Sequence, residues 1–137
     1  MSVGVMVVHH QTIIVGTVRR RPEQISCEEL RAFLTDLVDV IGMQALFEPI
    51  AINGKFGFTG IVGIVTSHIA FHFFESDQSL HFDVYSCKEY DLKVLLAFVD
   101  QYWDIEKADV LFVVRDQGPR IDRYVYSDKS LRMEVHV

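Results

Sequence analysis

The chain is short of cysteine, of basic charge and of long apolar runs, and each shortage closes off a class of protein. Its two cysteines, Cys27 and Cys87, lie far apart with no CxxC spacing. A disulfide framework is therefore not indicated, and a reducing cytoplasm is the expected setting. No apolar stretch approaches the ~18 residues that cross a bilayer. Met1-Ser2-Val3-Gly4-Val5-Met6 has no basic region ahead of its short apolar run, so no signal peptide is expected. The formal net charge of −6 argues against nucleic acid as a partner, because gripping phosphates requires a basic face. It mildly favours a cationic small ligand. There is no Pro/Gly/Ser linker, repeat or low-complexity tract, so residues 1–137 read as one domain.

Half of the residues are apolar, enough for a globular domain with a packed core. Val3 to Val8 and Thr12 to Val18 are rich in β-branched residues and read as strands, ended by Arg19-Arg20-Arg21-Pro22 in a solvated turn. Ser26-Cys27-Glu28-Glu29 is a capping-box pattern. Leu30, Phe33, Leu34, Leu37, Val38 and Ile41 follow at helical spacing, and Gly42 ends that helix. Strands are predicted over 46–52, 58–65, 69–74 and 80–86. Asp91 caps a second helix with the stripe Leu92, Leu95, Leu96, Val99 and Trp103. Val110 to Val114 and Ile121 to Tyr126 complete the strands, with Asp116-Gln117-Gly118-Pro119 as the turn between them. Meandering strands with few helices indicate α+β: a two-layer sandwich, its sheet mostly antiparallel and its helices on one face.

The polar residues of the central hairpin stand out. Side chains alternate faces along a strand, so Ile69, Phe71 and Phe73 share a side with Leu80, Phe82 and Val84. A two-residue loop at Asp77-Gln78 then sets His72 opposite Asp83 and His68 opposite Cys87. The other face carries His68, Ala70, His72, Phe74, His81, Asp83, Tyr85 and Cys87. Packing is the simpler reading of any one of these residues; as a set they favour function. A zinc site from His72, Asp83 and Cys87 would need distorted pairing. His68 and His72 stand about 13 Å apart on a strand, so the H-E-x-x-H logic of a helix does not apply, and no metal is expected. Ser67 has no G-x-S-x-G elbow to make it a hydrolase nucleophile.

Ser67-His68, with His72 five residues and Cys87 twenty residues after the serine, resembles the S-adenosylmethionine decarboxylase family in its small prokaryotic form. Gly57-Phe58-Thr59-Gly60 and Phe82-Asp83-Val84-Tyr85-Ser86-Cys87 extend the likeness over about residues 55–90. The resemblance implies a proenzyme that cuts itself between Thr66 and Ser67, giving a β chain 1–66 and an α chain 67–137. Ser67 would become a pyruvoyl cofactor, which forms a Schiff base with the substrate amine. His72 would be the processing base, Thr59 an oxyanion donor in processing, and Cys87 the proton donor in decarboxylation. Phe56, Phe58, His68 and Asp83 are the candidates for substrate binding, with Phe47 a further aromatic. A homodimer with facing sheets and a place in spermidine synthesis are also implied, with no membrane partner. Two departures keep other readings open. The family usually has Glu where this chain has Thr66, and an acid on the first strand that is absent here. The same cofactor acting on a basic amino acid such as ornithine or arginine is one alternative. An unprocessed, non-enzymatic binding module is the other.

Overall fold

In the computed structural model, which describes residues 7–134, Ser26 opens the first helix as its pattern predicts. Its hydroxyl accepts from the Glu29 amide at 3.1 Å and contacts the Glu29 carboxylate at 3.2 Å. Helix α1 runs Cys27–Val40, and Gly42 takes the left-handed φ of 71° that lets the chain turn away. Helix α2, Leu92–Trp103, is capped by the Asp91 carboxylate on the amides of Lys93 and Val94. No described helix is long and apolar enough to cross a membrane.

The strands are β1 His10–Val18, β2 Ile50–Asn53, β3 Gly57–Ile64, β4 Ser67–Phe74, β5 Ser79–Ser86, β6 Ile105–Val114, β7 Arg120–Ser127 and β8 Ser130–Met133. They form one antiparallel sheet in the order β2-β3-β4-β5-β1-β6-β7-β8. The strand expected over Val3 to Val8 lies mostly outside the described residues, and Val7 and Val8 carry no strand. Strand β8 was not anticipated, because its turn at Asp128-Lys129 takes two positive φ angles without the glycine or asparagine that signals such a turn. The segment expected from 46 onwards is a strand only from Ile50, preceded by an isolated bridge between Ala45 and Ile64.

Both helices lie on one face. Leu30, Phe33, Leu34 and Leu37 of α1 and Leu95, Leu96, Val99 and Trp103 of α2 bury against Ile14, Val62, Ile69, Phe71, Phe82, Val84 and Val110 of the sheet. This is the two-layer α+β sandwich that the pattern predicts. Gly60 belongs to it sterically: a Cβ there would strike the Phe71 ring.

The hairpin register differs from expectation. The loop between β4 and β5 has four residues, Glu75–Gln78, and the first closing pair is Phe74 with Ser79. His72 faces His81 and His68 faces Tyr85, in place of Asp83 and Cys87. Side-chain chemistry sets the longer loop. The Asp77 carboxylate accepts the Ser79 amide at 3.0 Å, and Gln78, at φ 53°, donates to the carbonyls of Val18 and Arg20. The slip is two residues, so every side chain keeps its predicted face.

The triple-arginine turn is only partly solvated. Arg19 donates to the Ile105 carbonyl at 3.1 Å, and Arg20 donates to the Tyr102 carbonyl with its guanidinium 4.2 Å from the Tyr102 ring centre. Positive charge at the C-terminal end of α2 suits the helix dipole. The same end is tied to the sheet by buried Asp100, which accepts the Ile105 amide at 2.7 Å and the Tyr126 hydroxyl at 2.6 Å. Burial, and then the Asp100 carboxylate, push ionisation of Tyr126 up, so its hydroxyl stays a donor. Asp100→Ala leaves two buried donors unpaired and should cost about 3 kcal/mol in urea unfolding. Tyr126→Phe leaves the Ile105 bond intact and should cost about 1–2 kcal/mol.

Candidate active site

Three groups carry the chemistry, mostly on the face of the sheet away from the helices, with the Ser67 side chain on the helix side. The first is the β3–β4 turn. Ile64 pairs with Ser67, leaving Val65 and Thr66 as the two turn residues, and Thr66 takes a φ of 54°. Ser67 is the first residue of β4 and is almost buried. Its hydroxyl accepts the Cys87 amide at 3.0 Å, which fixes the oxygen beside the turn. The Cys87 sulfur lies 2.8 Å from the Thr66 hydroxyl, which also reaches the Val65 carbonyl at 2.7 Å. The Thr66 hydroxyl first, and the Ser67 hydroxyl second, hold the Cys87 thiol below its ordinary value of 9.0, against the opposite effect of burial.

The second group adjoins the first. His68 Nε2 lies 3.1 Å from one oxygen of Asp83, and the Gln11 amide donates to the other at 2.8 Å. The His68 ring stacks on Tyr85 with centres 5.7 Å apart. On its other side Tyr85 bonds His9 Nδ1 at 2.7 Å and lies beneath the Arg115 guanidinium, 4.6 Å away. Gln11, His9 and Arg115 were not singled out in the sequence. Only the pairing of β1 between β5 and β6 brings them here, and no local motif announces it.

The third group is Thr59 with His72. These residues pair across β3 and β4, and the Thr59 hydroxyl lies 2.9 Å from His72 Nδ1. They line a cavity of about 210 Å³ with Phe56, Phe58 and Phe74. Phe56 is exposed, whereas Phe58 is on the helix side of β3, in the core against Phe73. Phe47 lies over Gly63, where a Cβ would meet its ring at 2.5 Å. His72 is five strand positions from Ser67, about 16 Å at the usual rise, and their side chains leave opposite faces. One chain thus brings Ser67, Thr66 and Cys87 together, and Thr59 and His72 together, but does not join the two sets.

An antiparallel sheet with a helix layer on one side, and a cysteine and histidines on the other, defines a class of two-layer α+β proteins with an open polar sheet face. The S-adenosylmethionine decarboxylase family model matches residues 12–116, and the chain belongs to that family. Among solved structures the fold is similar to the adenosylmethionine decarboxylase of Aquifex aeolicus, at 16% identity and a TM-score of 0.58, covering 98% of this chain and 100% of that one. A comparison with curated proteins gives no match.

The hydroxyl contacts of Cys87 make its reactivity measurable. Hydroxyls turned toward sulfur favour thiolate, so alkylation of Cys87 in the uncut chain should reach its half-maximal rate below pH 9.0. Thr66→Val should move that midpoint up.

Proposed function

We propose that this chain is a self-processing, pyruvoyl-dependent decarboxylase of S-adenosylmethionine, a carboxy-lyase supplying the aminopropyl donor for spermidine synthesis. The observation that carries the reading is the Ser67 hydroxyl held by the Cys87 amide directly after a left-handed Thr66. That arrangement suits an acyl shift. Ser67 Oγ adds to the Thr66 carbonyl carbon, the bond from that carbon to the Ser67 nitrogen breaks, and the hydroxyl proton passes to the freed amine. A base then removes the Ser67 Cα proton, and the Thr66 carboxylate departs. Tautomerisation and attack by water release ammonia and leave a pyruvoyl group at the head of chain 67–137.

Thr59 and His72 have the chemistry for an oxyanion donor and that base, yet they lie too far from Ser67 of their own chain. The exposed apolar residues of the open sheet face support a site shared between two protomers. Val15, Ile50, Ile52 and Ile61 are exposed around the polar groups, an apolar surface of the kind that partners cover. In a homodimer with these faces apposed, Thr59 and His72 of one protomer approach the partner's Thr66–Ser67 peptide where it turns at the end of the sheet.

Once formed, the pyruvoyl carbonyl supplies an electron sink for the departing carboxylate. Cys87, on the outer face beside residue 67, is placed to return a proton to the substrate carbon. Asp83, oriented by His68 and Gln11, offers a carboxylate to a cationic substrate, and Phe56 offers an exposed ring.

Intact mass under denaturing conditions is the direct test. The wild type should give two fragments split between Thr66 and Ser67, and Ser67→Ala a single species near 15.8 kDa. A wild type that stays whole on long incubation overturns the processing scheme. Carbon dioxide release from S-adenosylmethionine, ornithine and arginine then identifies the substrate. The shared site has its own test. His72→Ala alone should stay uncut, but should be cut when coexpressed with Ser67→Ala, whose His72 is intact. A His72→Ala chain that stays whole in the mixture rules out the shared site.

A further inference from the structure

Thr66 is the least comfortable residue of the described backbone. Five non-glycine residues have positive φ: Thr66, Gln78, Asp104, Asp128 and Lys129. Asp104 caps a helix, and Asp128-Lys129 form a turn in which both central residues are positive, as a tight hairpin favours. Thr66 is the β-branched member of the five, and side chains of that shape fit the left-handed region worst. Its turn compounds the cost. Of the two central residues only the second, Thr66, has positive φ, a type II pattern that asks for glycine or asparagine there. Turns of that type also splay the strands of a two-residue hairpin.

Three contacts keep the residue where it is. The Thr66 hydroxyl reaches the Cys87 sulfur and the Val65 carbonyl, and the Cys87 amide holds the hydroxyl of the next residue. Behind them, the ladders of β3, β4 and β5 fix both ends of the turn. Strained backbone persists where its surroundings over-determine it, and it gathers where strain is used.

We propose that the left-handed strain at Thr66, clamped by Cys87, loads the Thr66–Ser67 peptide for self-cleavage. The inference rests on the processing scheme above and adds its driving element. The scissile carbonyl belongs to the strained residue itself. When Ser67 Oγ adds to that carbon and the bond to nitrogen breaks, a longer ester link through the Ser67 side chain replaces the peptide at the strained point, and φ of Thr66 is free to relax. Nothing enters or leaves in this step, since the amide becomes an ester with a free amine. Thr66 thereby contributes through its backbone, where the family usually has an acidic side chain.

The test follows cleavage by intact mass from the moment of synthesis. Thr66→Gly keeps the turn and removes the strain. It should cut about five- to thirtyfold more slowly than the wild type, the kinetic equivalent of the left-handed cost for an L-residue. Thr66→Val keeps the β-branch and should cut well ahead of Thr66→Gly. A Thr66→Gly chain as fast as the wild type overturns the proposal while leaving the processing scheme intact. So does a Thr66→Val chain as slow as Thr66→Gly, which would assign the effect to the hydroxyl. A wild type that never cuts removes the scheme and the proposal together. A second measurement reads the strain without cleavage. In the uncut Ser67→Ala background, Thr66→Asn should raise Tm by about 3–5 °C, and an unchanged or lower Tm also overturns the proposal.

Discussion

The Phe71–Phe82 pair fixes everything that the open face of the sheet displays. These rings face each other across β4 and β5, stacked 5.4 Å apart at 10°. Trp103 meets Phe71 edge-on, and Phe33 meets both rings. A slip of one residue would turn these aromatics to solvent, and a slip of two would unstack them beneath the helices. The register is therefore chosen on the buried side, and the polar side inherits it. His68 faces Tyr85, Thr66 comes beside Cys87, and His72 faces His81 as consequences of that choice.

This explains which parts of the site could be read from sequence. The face of each residue depends only on alternation, so His68, His72, Asp83 and Cys87 were assignable to one side from the placement of Ile69, Phe71, Leu80 and Phe82. Which residue meets which depends on loop length. The loop here is set by the Asp77 side chain and by Gln78 reaching across to β1, neither of which a turn pattern reveals. The helices were legible because their signals are local: Ser26 and Asp91 as caps, and apolar stripes at helical spacing. Strand β8 and the Gln11–Asp83 bond were not, the first for want of a turn signal and the second because it depends on a strand 72 residues away in the chain.

The division of labour between the faces also explains the spread of the candidate site. Helices cover one side, so a densely polar cluster can be built only on the other, along strands that separate residues by about 3.3 Å each. Spacings of five and twenty residues that look compact in sequence become a long separation and a direct contact, respectively. Cys87 comes to Ser67 because an antiparallel hairpin returns the chain to its starting end. His72 goes away from Ser67 because it lies along the same strand.

Strain can be tolerated at Thr66 for the same reason that the register is firm. The β3–β4 and β4–β5 ladders, with Phe71, Phe73 and Phe82 buried behind them, hold the ends of the turn independently of its conformation. A left-handed threonine in a freely jointed loop would relax. Between two fixed strand ends, with its hydroxyl on Cys87, relaxation would require breaking pairs that the core stabilises. The cost is confined to one residue whose carbonyl adjoins the buried Ser67 hydroxyl, so the bond under load is also the bond within reach of a nucleophile. The Asp100 tie and the arginine clamp secure α2 to other strands, and nothing in that packing depends on the Thr66–Ser67 peptide remaining whole. A break at the turn would therefore leave the ladders and the helix layer standing, which a self-cutting chain requires of its fold.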